Sequence, residues 1–119
     1  MTRQEPGTSV MTLSELQAAM EAFVRSRGWY DDHTVKPQTA TNLAMSLVLE
    51  ASEVLEHFQW GEAEDAEAVA AELADVVLYV AQLANVLGLD LTEAVEAKLR
   101  VNQVRWAPVG TEAPARLGS

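Results

Sequence analysis

Apolar residues recur along this chain at three- and four-residue intervals, the spacing that lines one face of an α-helix. Leu13, Leu16, Met20, Phe23 and Val24 keep that spacing. Thr12 and Glu15 set a T-x-x-E capping box ahead of them and Gly28 stops the run, which predicts a first helix over about residues 13–27. Leu43, Leu47, Val54 and Phe58 form the stripe of a second, from about 39 to 59 and ending near Gly61. Val69, Val76, Val80, Leu83 and Leu87 form the stripe of a third, from about 63 to 87, with Gly88 as its stop. The run D-L-T-E at 90–93 opens a fourth, which fades at Trp106-Ala107-Pro108. No strand-like alternation of useful length is present, nor an internal repeat. The expected fold is all-α, a four-helix antiparallel bundle over residues 12–107, with flexible tails at 1–11 and 108–119.

The segment between the first two helices, residues 28–41, is longer than bundle connections usually are. It carries Trp29, Tyr30, His33 and Lys36, aromatic and basic groups that suit a binding loop or a cap on the bundle.

Charge sharpens the picture. The chain has 119 residues, enough for one domain, with 18 acids against 8 Lys and Arg and a net charge of −10. From Pro37 to Ala97 there are acids but no Lys or Arg. Such a field repels phosphate backbones, so a nucleic acid polymer is not an expected partner. It attracts cations. With no cysteine, disulfide scaffolds, thiolate zinc sites and Cys nucleophiles are excluded. No run approaches the roughly 18 uncharged apolar residues of a membrane span. The N-terminal residues lack the basic start and apolar run of a signal peptide, and a cytoplasmic location is expected.

Two acidic pairs stand out. Glu50 and Glu53 are i,i+3 neighbours on the second helix, and Glu50 lies within about 40° of Val54, at the edge of the apolar stripe. Glu72 and Asp75 repeat the arrangement on the third helix. Asp75 is the only charge in residues 73–87, and a carboxylate in such a run needs a partner. Antiparallel packing of the two helices brings all four onto one seam, where they repel unless a cation sits among them. Oxygen ligands without sulfur suit Mg²⁺, with Mn²⁺ as a substitute. An isolated E-x-x-E is commonly plain surface; two pairs at matching positions are rarer. Glu56, about 120° from Glu50, falls outside the seam. The Glu-x-x-His pairs of di-iron bundles are absent, as are a phosphate-binding G-x-x-x-x-G-K-[ST] loop and a G-x-S-x-G elbow.

N-L-A-M-S-L-V-L-E-A-S-E-V-L-E-H-F-Q-W (42–60), E-L-A-D-V-V-L-Y (72–79) and K-L-R-V-N-Q-V-R-W (98–106) together resemble the MazG-like nucleotide pyrophosphohydrolases, most of all their compact dCTP pyrophosphatase branch. The likeness covers about residues 13–107 with motif order and spacing intact. It implies an all-α fold, Mg²⁺ dependence and hydrolysis of nucleoside triphosphates to monophosphate and pyrophosphate. By resemblance Glu50, Glu53, Glu72 and Asp75 are the catalytic metal-binding acids. Lys98 and Asn102 match positions that reach phosphates or sugar, Arg105 a commonly basic one, and Trp29 and Trp60 aromatics of the base pocket. Asn42 matches a pocket-facing position and Tyr79 also matches. Many members read E-E-x-x-E; here Leu49 replaces the first Glu. Glu53 is the acid expected to orient or deprotonate the attacking water.

Met45 and Leu49 on the second helix, and Ala74 and Leu78 on the third, lie opposite the main stripes. Helices apolar on two sides are usually buried on two sides, which predicts a homo-oligomer. The resemblance favours a tetramer, a dimer of dimers, over a dimer. The reading is a Mg²⁺-dependent pyrophosphohydrolase for dCTP or modified pyrimidine deoxynucleotides. The alternative is a non-catalytic helical oligomer that binds metal or nucleotide as a sensor or adaptor.

Overall fold

The computed structural model describes residues 10–62 and 65–110. Four helices follow in order: α1 (Leu13–Ser26), α2 (Ala40–Glu56), α3 (Ala66–Leu87) and α4 (Leu91–Arg105), with no strand among the described residues. The expected tails lie mostly outside them.

Local chemistry sets the ends. Thr12 Oγ1 accepts from Glu15 N at 3.1 Å while Glu15 Oε1 accepts from Thr12 N at 2.8 Å, the reciprocal box expected of T-x-x-E. Thr39 caps α2 by accepting from Asn42 N, and Asp90 caps α4 by accepting from Glu93 N. α3 starts at Ala66, later than expected, because the Asp65 carboxylate takes up the N–H groups of Glu67 and Ala68. α2 ends at Glu56, three residues early. His57 and Phe58 switch to tighter bonds onto Val54 and Leu55, at 3.1 and 2.9 Å, leaving Phe58 and Trp60 in turns. Gly88, with φ +70°, closes α3 in the left-handed region where a side chain is strained.

The packing runs as a chain, not as a closed bundle: α2 lies on α3, α3 on α1, and α4 meets α1. α2 and α3 are antiparallel, since Glu50 meets Asp75 and Glu53 meets Glu72. Val24, Leu43, Ala81 and Ala84 form the buried core. The bundle geometry expected from sequence is therefore met in helix number and in the α2–α3 pair, while α4 departs from it. Its place is set by polar groups: Leu91 N donates to Gln17 Oε1 at 2.9 Å and Ser14 meets Thr92 at 3.4 Å, and no residue of α4 is fully buried.

Much apolar surface is uncovered. Met45, Val48 and Leu49 on α2 and Leu73 and Val77 on α3 are about half exposed or more. By length and composition α3 could cross a membrane, with mean hydropathy 1.5 over an 18-residue window, yet only 17% of that window is buried within the chain. Leu78, expected on the outer face with Ala74, instead lines a cavity between α1 and α3.

Candidate active site

Spacing of three on each of two antiparallel helices places the acids in facing turns. Glu50, Glu53 and Glu72 each present a carboxylate oxygen within 4.8 Å of the others. Asp75 stands beside them, carboxyl to carboxyl with Glu50 and close enough to act on Glu72. Glu50 Oε1 and Glu72 Oε2 are shielded from solvent and have no hydrogen-bond donor. The surroundings hold both acids above the usual carboxylate range. For Glu50 burial is the main cause, followed by the charges of Glu53 and Asp75. For Glu72 the main cause is its contact with Glu53, followed by burial and the charges of Glu53, Glu50 and Asp75. Buried, donorless carboxylate oxygens pressed together fit a cation. Two oxygens on one Mg²⁺ at about 2.1 Å are at most about 4.2 Å apart, so this spacing needs little adjustment.

Beside the seam a cavity of about 620 Å³ opens between α1, α3 and the segment leading into α2. Asp75 and Tyr79 line it on the α3 side, Phe23 and Trp29 on the α1 side. Trp29 meets Phe23 edge to face, with centroids 5.5 Å apart, and the Lys36 ammonium lies 4.6 Å from its ring centre. Tyr79 also lines a smaller cavity of about 210 Å³ together with Asn42, whose amide donates to Pro37 O at 3.3 Å.

The structure thus gathers Glu50, Glu53, Glu72, Asp75, Trp29, Asn42 and Tyr79 in one region. It places four other expected residues elsewhere on the single chain. Trp60 is 92% exposed in the turn after α2. Lys98, Asn102 and Arg105 sit on α4, which meets α1, and none of them lines either cavity. Arg105 lies over the Trp106 ring at 5.4 Å.

Sequence reasoning missed the amides. Gln82 is 1% exposed, and its Nε2 donates to Tyr30 Oη at 2.9 Å and to Gln38 Oε1 at 3.1 Å. Tyr30 Oη in turn donates to Glu21 Oε1 at 2.7 Å. That bond, with the Arg25 guanidinium, lowers the Glu21 carboxyl, while burial raises the Tyr30 phenol. The available signal was Gln82 and Asn85, two amides three apart in an otherwise apolar stretch of α3.

Fold and site define an all-α protein with an interhelical acidic seam opening on an apolar, aromatic-walled cavity. Residues 45–112 match the MazG-like family. A dATP/dGTP diphosphohydrolase of cyanophage S-2L is 34% identical over 97 residues, which is 81% of this chain and 79% of that protein. Human dCTP pyrophosphatase 1 is 31% identical over 80% of this chain, which spans only 59% of the human protein's length. The crystal structure of a pyrophosphatase from Archaeoglobus fulgidus superposes with a TM-score of 0.64 at 31% identity, covering 87% of this chain and all of the other. The chain belongs to the MazG-like family.

Proposed function

We propose that the protein hydrolyses deoxynucleoside triphosphates to monophosphate and pyrophosphate, with dCTP or modified pyrimidine nucleotides preferred and Mg²⁺ required. The carrying observation is the convergence of Glu50, Glu53 and Glu72, with a shielded, donorless oxygen on Glu50 and on Glu72, beside the Trp29–Tyr79 cavity. The names of the relatives, a dATP/dGTP diphosphohydrolase and dCTP pyrophosphatases, support the same chemistry.

Glu50, Glu53, Glu72 and Asp75 would hold Mg²⁺, which, when bound, neutralises charge on the phosphates. Glu53 orients the attacking water and accepts its proton. Water adds across the bridge between the α- and β-phosphates, and its cleavage gives monophosphate and pyrophosphate. Trp29 offers a face for the base, and Lys36, held over that ring, offers a positive charge at the cavity.

The same reading includes a homo-oligomer, a tetramer favoured over a dimer. Its support is the uncovered apolar surface of α2 and α3. Glu72 and Asp75 lie within the apolar stretch of α3, and carboxylates in hydrocarbon are costly, so a second copy suits that surface better than lipid. The same reading includes a cytoplasmic site of action.

The test is pyrophosphate release from the four standard and several modified deoxynucleotides, with and without Mg²⁺, by the wild type and Glu50→Gln. Mg²⁺-dependent release, lowered at least about 100-fold in the variant, is expected. Nucleotide binding without release from any of them would shift the reading to a sensor.

A further inference from the structure

Four side-chain amides run in hydrogen-bonded file from the start of α4 to the cavity. Leu91 N donates to Gln17 Oε1 at 2.9 Å, and Gln17 Nε2 donates to Leu89 O at 2.9 Å and to Asn85 Oδ1 at 3.1 Å. Asn85 Nδ2 donates to Gln17 O at 2.9 Å and to Gln82 Oε1 at 3.2 Å. Gln82 Nε2 donates to Gln38 Oε1 at 3.1 Å, and Gln38 Nε2 donates to Lys36 O at 2.9 Å.

The direction of this file is fixed at its ends. The Leu91 N–H only donates, and the Leu89, Gln17 and Lys36 carbonyls only accept. Turning any one amide over would set N–H against N–H or oxygen against oxygen. Gln38 is therefore held in one orientation, although a glutamine at a cavity wall would otherwise rotate freely. Its bonds leave one N–H and one carbonyl lone pair unused among the described residues.

Gln38 and Gln82 line the same cavity as Asp75 of the acidic seam, against largely apolar neighbours such as Phe23, Leu43 and Leu78. A nucleotide whose phosphates lie at the seam directs its base there. Pairing edges of bases come in two orders. Cytosine and adenine carry an amino donor beside a ring-nitrogen acceptor; uracil and guanine carry a keto acceptor beside a ring N–H. A primary amide complements either order, but only in opposite orientations.

We propose that Gln38 is a specificity-determining residue that reads the pairing edge of the base, and that Gln17, Asn85 and Gln82 are positioning residues that lock its orientation. The enzyme then separates amino-bearing from keto-bearing bases of equal size. This rests on the pyrophosphohydrolase reading above. The wrong order leaves buried donors and acceptors unpaired, an effect of about tenfold or more on kcat/KM.

The experiment is the ratio of kcat/KM for dCTP against dUTP, and for dATP against dGTP, in the wild type, Gln38→Leu and Gln82→Met. At least about a tenfold preference for one order is expected in the wild type for the pyrimidine pair. Gln38→Leu, at the cavity wall, is expected to bring that ratio within about threefold of unity by lowering kcat/KM for the favoured base. Gln82→Met leaves Gln38 in place, held by the Lys36 carbonyl alone. It is expected to shrink the ratio with the change carried by KM for the favoured base, circular dichroism confirming the fold. A wild-type ratio near unity, or an unchanged ratio in Gln38→Leu, overturns the proposal while the parent reading stands. Absence of pyrophosphate release by the wild type from every nucleotide overturns both.

Discussion

Gln82 gives the sharpest prediction for stability, because it is a fully buried polar side chain that joins α3 to the segment between α1 and α2. Gln82→Met keeps its length and removes its polarity. Three hydrogen bonds disappear, those with Tyr30, Gln38 and Asn85. At about 1 kcal/mol net for each bond, the loss is about 3 kcal/mol. Two features hold it near that figure. Tyr30 still donates to Glu21 and Asn85 still donates to the Gln17 carbonyl, so neither is left without a partner. Gln38 lines the cavity, where water can take the place of the lost donor. Burying a thioether where an amide stood offsets a further part, which sets the expected loss at about 2–3 kcal/mol. For a chain of this length that corresponds to a fall of about 8–12 °C in Tm. Urea unfolding followed by tryptophan fluorescence, at one fixed protomer concentration, measures it. Gln38→Met removes two bonds, about 2 kcal/mol by the same arithmetic, and water at the cavity wall replaces them in part, so as the control it should cost less than Gln82→Met. A Gln82→Met protein within about 0.5 kcal/mol of wild type would refute the claim that the Gln82 bonds tie the segment between α1 and α2 to α3.

Two further outcomes follow from the seam and the uncovered surface. Glu50 and Glu72 bind protons more tightly in the folded chain than the ordinary value of 4.5 implies, so in EDTA stability should fall as pH rises through their raised range. Glu21, lowered by Tyr30 and Arg25, acts oppositely and loses its contribution only as pH drops below that ordinary value. Urea midpoints followed upward from pH 4.5 should therefore fall with rising pH without metal, and Mg²⁺ should remove the fall; a metal-free protein that grows steadier over that range would contradict this. Leu49 is 62% exposed on the outer face of α2, so Leu49→Lys should lower the mass seen by light scattering with sizing chromatography, and an unchanged mass would exclude that face from the assembly.

How far the sequence carried depended on the kind of interaction. The Thr12 box, the Asp90 cap and the Gly88 stop rest on residues a few positions apart, and the structure forms each one. The acids were legible for a similar reason. Spacing of three beside an apolar stripe places Glu50 with Glu53 and Glu72 with Asp75, and only the facing of the two helices had to be assumed. The position of α4 was not legible, because it depends on Gln17 reaching across more than seventy residues to Leu89 and Leu91. Hydrophobic periodicity is blind to a bond of that kind. The same blindness hid Gln38, which sits in a loop and gains its role only through Gln82.

The seam also explains why α2 and α3 need their apolar stripes. Facing acids push the helices apart, as the raised values of Glu50 and Glu72 record. What opposes that push is the packing of α2 on α3, along which Leu43 is buried and Val54, Val76 and Val80 are half-buried. A cation that joins the acids adds to the packing instead of opposing it, so metal binding and the α2–α3 contact are one equilibrium. Under the proposed function this couples substrate to fold, since a triphosphate carries its own Mg²⁺. Saturating Mg²⁺ with a non-hydrolysable dCTP analogue should then protect α2 and α3 amides from hydrogen exchange more than those of α4, which meets the rest of the chain through α1. Equal protection of all four helices would show that the acids and the packing are not coupled.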